Sequence, residues 1–230
     1  MRPVTRGDDP GPFAQYRDAA EQLMQRLGCY CSYCERHIET HLAVEHIKPK
    51  DLNPLLERTW SNFLLACVNC NSCKGDHNVV AANYLWPDTD NTLRAYKYLR
   101  GLVEVEPTLD AAVYPLAAAL YQLVGLDKDP GNPAPARKPT SADRRWRTRH
   151  DIWGVAELSL SNLRHPGADT QQMRDQIALT AAARGCFGIW FTVFRTDYDM
   201  LRRLIAAFPG STAECFDDEG AALQRPGGRL

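Results

Sequence analysis

Apolar residues recur every three or four positions in several stretches of the chain, a spacing typical of amphipathic helices. The first of these stretches runs from Phe13 to Leu27 and stops at Gly28, and glycine commonly ends helices. Further helices are predicted from Asp110 to Val124, from Ser141 as N-cap to Leu163, from Gln171 to Arg184 and from Tyr198 to Ala207. The pattern therefore predicts a predominantly helical chain.

Signals for β-strands are fewer. The stretch LAVEHIKPK predicts a short strand ending in Glu45-His46, and LRAYKYLRGLVEVEP predicts a hairpin that turns near Arg100-Gly101. The stretch CFGIWFTVF, residues 186–194, is apolar on nearly all sides, so we expect it to be buried against the rest of the chain or a partner. The predicted fold class is α+β, predominantly helical.

Composition along the chain divides it into four parts. We predict an N-terminal arm and helix at 1–28, a cysteine-rich core at 29–87, a hairpin and helical C-terminal region at 88–216, and a flexible tail at 217–230. The Pro-rich segment 127–140 is either a linker or an ordered surface loop.

The net charge of the chain is only −1, so a nucleic-acid binder of this composition must concentrate positive charge locally or borrow it from a partner. The main basic cluster consists of Arg137, Lys138, Arg144, Arg145, Arg147 and Arg149. It is either a solvated helix face, a phosphate-binding patch or a docking surface for an acidic partner. Trp146 and Trp153 lie seven residues apart on the same predicted helix, and we expect them in the core.

Cysteine usage points to metal rather than to disulfides. The chain has no apolar run of eighteen residues and no apolar secretory signal, so we expect it in the cytoplasm. Six of its eight cysteines lie between residues 29 and 73, and in that compartment such crowding favours metal binding.

Two CxxC pairs supply a complete ligand set for zinc. They are Cys31 with Cys34 and Cys67 with Cys70, and two such turns predict a structural Zn²⁺ site with four thiolates. Cys73 is an alternative partner for Cys70. We expect Cys29 and Cys73 to be free thiols near the zinc, and Cys186 and Cys215 to be core residues.

The residues between and after the pairs form a recognisable order. Glu45-His46-Ile47 is followed by Pro49, four residues separate Asn62 from Cys67, and Asn71 and Lys74 follow Cys70. This order, over residues 29–77, resembles the HNH endonuclease family. The resemblance implies a ββα-metal core held together by the zinc site, and it favours Cys67 over Cys73 as a ligand.

The resemblance also implies a role for each matched residue. His46 matches the general base that activates water, and Glu45 and Asn71 match the ligands of one catalytic Mg²⁺ or Mn²⁺. Asn62 matches the residue that holds the loop aiming the base, and Lys74 matches a phosphate contact. Glu45 stands where Asp or His is commoner in the family, and Asn71 stands where His also occurs.

We expect nucleic acid to contact basic residues outside these motif positions as well. The candidates are Lys48, Lys50, Arg144, Arg145 and Arg147.

A narrower resemblance rests on MRPVTRG, YCSYCERHI, VEHIKPK and WSNFLLACVNCNSCKGDH. These stretches are similar to the HNH subunits of Septu-type and retron-associated anti-phage systems, in which a PtuB-like nuclease works with a PtuA-like ATPase. The similarity implies DNA cleavage in anti-phage defence with an ATPase partner. The alternatives are an HNH toxin that cleaves RNA or tRNA, and a non-catalytic zinc module that binds nucleic acid.

Overall fold

The computed structural model describes residues 1–230, and helices supply most of its regular structure. The helices are α1 (Ala19–Leu27), α2 (Val68–Lys74), α3 (Tyr114–Leu123), α4 (Arg145–Leu163), α5 (Gln171–Arg184), α6 (Phe187–Val193) and α7 (Tyr198–Ala207). The strands are β1 (Ala43–His46), β2 (Phe63–Ala66), β3 (Tyr96–Tyr98) and β4 (Val103–Val105). The predicted mixed, mostly helical fold is confirmed. No helix combines the length and the apolar character needed to cross a bilayer.

Strands β1 and β2 and helix α2 form a ββα unit. The two strands pair antiparallel, with His46 opposite Phe63 and Ala43 opposite Ala66. All four residues of β2 are buried, as expected for a short apolar strand covered on both faces. Helix α1 packs across the pair and buries Leu23 and Leu27, so the end of β1 is held in a fixed position.

The predicted hairpin is also confirmed. Tyr96 pairs with Val105 and Tyr98 with Val103, and Gly101 adopts a φ of 79° at the turn. Helix α6 approaches this hairpin closely. A Cβ on Gly188 would lie 2.3 Å from the Tyr98 ring, so only glycine allows this contact.

The C-terminal region packs directly on the cysteine-rich core. Gly185 forms a β-bridge with Arg36, and the Cys186 amide donates to the Glu35 carbonyl at 2.7 Å. Helix α6 buries Phe187, Gly188, Ile189 and Trp190. The apolar segment 186–194 is therefore largely buried as predicted, and it covers this chain's own core.

Several predicted helices begin later than expected. Helix α1 starts at Ala19, because residues 16–18 form a 3₁₀ turn and Phe13 instead stacks on Trp60 with ring centroids 5.9 Å apart. Helix α3 starts at Tyr114 and α4 at Arg145. Their N-cap positions lack the side-chain hydrogen bond that marks a helix start in the sequence.

Both chain ends are packed, which corrects the expectation of an arm and a flexible tail. Met1 and Val4 are buried, and Val4 forms a β-bridge with Ser211. At the other end, the Asn91 amide N–H donates to the Leu230 carbonyl at 2.8 Å, and the Asn91 side chain donates to the Leu223 carbonyl at 2.6 Å.

The Pro-rich segment 127–140 is an ordered surface loop rather than a linker. Arg137 pairs with Asp127, and its guanidinium also donates to the Gln122 carbonyl at 2.7 Å. The loop is therefore fixed to the end of α3.

Candidate active site and metal centre

Four cysteines meet beneath the ββα unit. The Sγ atoms of Cys31, Cys34, Cys67 and Cys70 all lie within 4.8 Å of one another, and all four residues are buried. The Cys34 and Cys67 sulfurs are 3.7 Å apart, and a tetrahedral site with Zn–S bonds of about 2.3 Å has S–S edges of about 3.8 Å. Cys73 lies outside the cluster. The four cysteines predicted to bind zinc therefore lie together, and their arrangement fits structural zinc.

The acidity of these thiols also fits a cation. Hydrogen bonds from the neighbouring thiols lower the pKa of Cys34, whereas burial raises the pKa of Cys31 and Cys70. Four thiolates therefore cannot share this buried space unless a positive ion compensates them.

The first CxxC turn is closed by contacts from distant parts of the chain. The Glu35 amide donates to the Cys31 carbonyl at 2.9 Å, and Glu35 adopts a φ of 61°, which normally favours glycine. Its carboxylate accepts from the Gly188 amide at 3.2 Å and lies 3.7 Å from the Met1 amine. These contacts hold a strained residue directly beside a metal ligand.

Arg145 belongs to the cysteine cluster and not to a nucleic-acid surface. It is 1% exposed, and its Nη1 donates to Cys70 Sγ at 3.2 Å and to the Val124 carbonyl at 2.7 Å. Its ion pair with Asp143 measures 2.6 Å. The prediction that Arg145 contacts nucleic acid is therefore wrong, because the side chain faces the sulfurs.

A cleft of about 220 Å³ lies at the end of β1 in the ββα unit. Its lining includes Glu45, His46, Asn71 and Lys74. The structure thus brings together the four residues that were expected to act in catalysis, although they lie up to 29 residues apart in the chain.

His46 is oriented by a backbone carbonyl. Its Nε2 lies 2.8 Å from the Glu57 carbonyl oxygen, which can only accept a hydrogen bond, so Nε2 carries the proton and Nδ1 keeps its lone pair. Edge contacts to Tyr16 and Phe63, at 4.8 and 5.2 Å between centroids, hold the ring. Burial lowers the pKa of His46 below 6.5, so the imidazole is neutral at pH 7.

Asn62 ties together the loop that carries Glu57. Its Oδ1 accepts from the Lys48 amide at 2.8 Å, and its Nδ2 donates to the carbonyls of Lys48 at 3.0 Å and Leu56 at 3.3 Å. Since Leu56 precedes Glu57, these bonds fix the carbonyl that orients His46. They are the contacts that the expected loop-holding role requires.

Lys74 and Glu45 form a buried pair. Lys74 Nζ lies 2.8 Å from Glu45 Oε1 and donates to the His46 carbonyl at 2.7 Å, and Lys74 is 1% exposed. Burial raises the pKa of Glu45 above 4.5 although Lys74 opposes the shift. Lys74 was expected to face a phosphate. In this structure the last turn of α2 instead directs its ammonium at β1.

The comparisons with known proteins bear on the segment that holds all these residues. Residues 31–77 match the family model described as HNH endonuclease. The chain thus contains an HNH domain. The matched segment begins at the first zinc-site cysteine and spans both CxxC pairs and the cleft residues from Glu45 to Lys74. No curated protein and no solved structure matches the chain.

The cleft of the HNH domain offers oxygen ligands for a hard cation. The Asn71 side chain lines the cleft and makes no hydrogen bond within the protein. Glu45 supplies a carboxylate whose charge is balanced by the Lys74 ammonium. Carboxylate and amide oxygens suit Mg²⁺ or Mn²⁺, and Mg²⁺ usually keeps several water ligands. These two residues fit one such ion.

Two acidic residues of the cleft were missed by the sequence analysis. Asp51 and Asp76 line it, Asp51 at 3.0 Å from Lys50 Nζ. Neither stands at a motif position, so only the folded arrangement reveals them. Lys48 and Lys50 flank the HNH site in the β1–β2 connection. Arg144, at the N-cap of α4, and Arg147, within α4, are exposed.

Proposed function

We propose that this chain is a metal-dependent HNH endonuclease that hydrolyses phosphodiester bonds in DNA. The observation that carries the proposal is the 2.8 Å contact between His46 Nε2 and the Glu57 carbonyl oxygen. The Nε2 atom is committed to the Glu57 carbonyl, which leaves Nδ1 as an unprotonated nitrogen in a cleft that also holds a carboxylate and an amide. A base, ligands for a cation and a zinc-site scaffold then occur in one domain.

In this proposal His46 acts as the general base. Nδ1 accepts the proton of a water molecule that attacks the phosphorus, and the lowered pKa of His46 keeps it ready to do so at neutral pH. A divalent cation at Glu45 and Asn71 would stabilise negative charge on the phosphate and on the leaving oxygen. Asn62 acts as a positioning residue through the loop that carries Glu57.

The structure suggests a different role for Lys74 from the phosphate contact implied by resemblance. Its ammonium holds the Glu45 carboxylate and the His46 carbonyl in one place. We therefore propose that Lys74 keeps the ligand carboxylate in position, and that the phosphate is contacted by Lys50, which lines the cleft, and by the bound divalent cation.

The biological setting is a wider proposal. We propose that the nuclease acts in anti-phage defence with an ATPase subunit, supported by the motif resemblance described above. The net charge of −1 gives little general attraction to a polyanion, so a partner that delivers the nuclease to DNA suits this chain.

Cleavage of plasmid DNA and of an RNA transcript tests the proposal. Each polymer is incubated with Mg²⁺, with Mn²⁺ or without added divalent cation, using the wild type, Glu45→Gln and the control Glu104→Gln, which is exposed on β4. We expect metal-dependent DNA cleavage that Glu45→Gln reduces at least about tenfold and Glu104→Gln leaves unchanged.

Two results would contradict this assignment. Equal cleavage by Glu45→Gln and wild type would show that Glu45 is not a ligand of the catalytic metal, provided that zinc content and melting temperature show both proteins folded. Cleavage of RNA with intact DNA would replace the proposed substrate with RNA.

A further inference from the structure

Helix α4 divides the basic cluster into two faces. Arg145 and Arg149, one helical turn apart, are buried, whereas Arg144 and Arg147 are exposed, as is Lys138 on the preceding loop. The ion pairs of this region use other arginines, namely Arg137 with Asp127 and Arg145 with Asp143. The three exposed cations therefore keep their charge available for a ligand.

These cations line a groove of about 470 Å³ that lies outside the HNH domain. Its walls include Pro130, Pro139, Thr140 and Ser141, and Asp143 is its single acidic residue. Since the Asp143 carboxylate is paired with the buried guanidinium of Arg145, the groove carries an uncompensated positive charge.

Trp146 lies in the same groove and is half-buried. The indole N–H groups of Trp60, Trp86 and Trp190 each donate to a backbone carbonyl within the protein, but that of Trp146 has no partner in the chain. An aromatic face beside free arginines is the combination that stacks unpaired bases while binding their phosphates.

The groove is attached to the HNH domain through α2. Asn69 on that helix donates through Nδ2 to the Ala142 carbonyl at 3.3 Å, and Asn71 of the cleft follows two residues later. The loop that forms the groove is therefore fixed to the helix that carries a proposed metal ligand.

We infer that this groove binds a single-stranded segment of nucleic acid. One unpaired base stacks on Trp146, and the adjoining phosphates contact Arg144, Arg147 and Lys138. A duplex is excluded from this mode because its bases are already stacked on one another. Strand binding here does not require cleavage by the HNH domain, so this inference and the proposed nuclease activity can fail separately.

Binding is measured with the full chain carrying His46→Ala, so that the probe cannot be cut. The probes are a short fluorescein-labelled oligothymidylate and an abasic strand with the same number of phosphates. Trp146→Leu should weaken oligothymidylate binding about tenfold, because it removes the aromatic face on which one base stacks. It should leave binding of the abasic strand unchanged.

The arginines should behave differently. The Arg144→Gln/Arg147→Gln double variant should weaken both probes and lower the slope of log K against log salt by about 1.4, since each lost phosphate contact contributes about 0.7 for single strands. The matched control is Arg164→Gln/Arg184→Gln, which removes two exposed arginines of the same C-terminal region. It should bind both probes as the parent chain does.

Two outcomes would overturn the inference. One is equal binding and equal salt slope for the groove double variant and its control. The other is an equal loss for both probes with Trp146→Leu, which would show that the ring does not stack a base. Trp146→Phe, which keeps an aromatic face, should retain more oligothymidylate binding than Trp146→Leu, so a general loss of folding is distinguished from a loss of stacking.

Discussion

Glu45 and Lys74 are the two residues whose charges are most tightly linked in the cleft. Lys74→Met keeps most of the length of the side chain but leaves the buried carboxylate unpaired, which costs about 3–5 kcal/mol. We expect a lower melting temperature, partly recovered by Mn²⁺ because the ion supplies the missing positive charge. The shift produced by Mn²⁺ should be larger in the variant than in the wild type.

The matched control for this measurement is Lys97→Met, since Lys97 is exposed on β3. The account of the buried pair would fail if Lys74→Met melted at the same temperature as Lys97→Met.

The state of His46 predicts the pH dependence of cleavage. A general base works only when neutral, and burial lowers the pKa of His46, with the positive charges of Lys50 and Lys74 also favouring the neutral form. The rate should therefore fall only as the pH drops through a midpoint below 6.5, and it should be flat near pH 7. Single-turnover rates with Mn²⁺ across this range test the prediction. A midpoint above 6.5 would contradict it.

At the scale of residues, the sequence predicted which side chains share the cleft but not every direction in which they face. His46 and Asn62 lie where the motif order places them. Lys74 and Arg145 were expected to face phosphate, and both are buried. Their partners, Glu45 and the Cys70 sulfur, lie 29 and 75 residues away, so no local pattern records the contact.

Helix α4 connects the C-terminal region to the thiolate cluster through Arg145. Its guanidinium donates to Cys70 Sγ, and although burial opposes the shift, Asp143 and Cys70 raise the pKa of Arg145. Arg145→Met should therefore speed zinc loss, since removing such an outer contact typically costs about 10–100-fold in metal affinity.

Zinc release into a chromogenic chelator measures this effect. The control is Arg144→Met at the N-cap of the same helix, where the side chain is exposed. Identical release rates for the two variants would show that Arg145 does not support the metal site.

Among the elements, helices with a strong apolar period were predictable and their starts were not. The end of α1 at Gly28 and the whole of α5 lie where the sequence predicts them. The start of α4 is displaced because Asp143, which precedes it, accepts a 2.8 Å hydrogen bond from the Arg145 side chain. Such a local side-chain contact has no counterpart in the apolar period.

The whole molecule depends on chain segments that look dispensable in the sequence. Residues 217–230 accept hydrogen bonds from the fully buried Asn91, and each buried donor left without a partner costs about 1–3 kcal/mol. Deleting them should lower the midpoint of urea unfolding, whereas Glu219→Ala, an exposed change in the same segment, should not. An unchanged midpoint after the deletion would contradict the packed arrangement.

The arrangement of the whole chain was the least predictable level. The sequence indicates that residues 186–194 are buried, but their contact with the CxxC turn depends on a bridge between Arg36 and Gly185. That contact spans about 150 residues. No pattern with a period of two or four residues can encode it.

The central claim is that His46 removes the proton from the attacking water in a metal-dependent nuclease. Its most direct test is the single-turnover rate of DNA cleavage with Mn²⁺ for wild type and His46→Ala, with zinc content and melting temperature measured on both. We predict that the variant retains its zinc and cleaves about 10²–10⁴-fold more slowly. Equal rates from two folded, zinc-loaded proteins would contradict the claim.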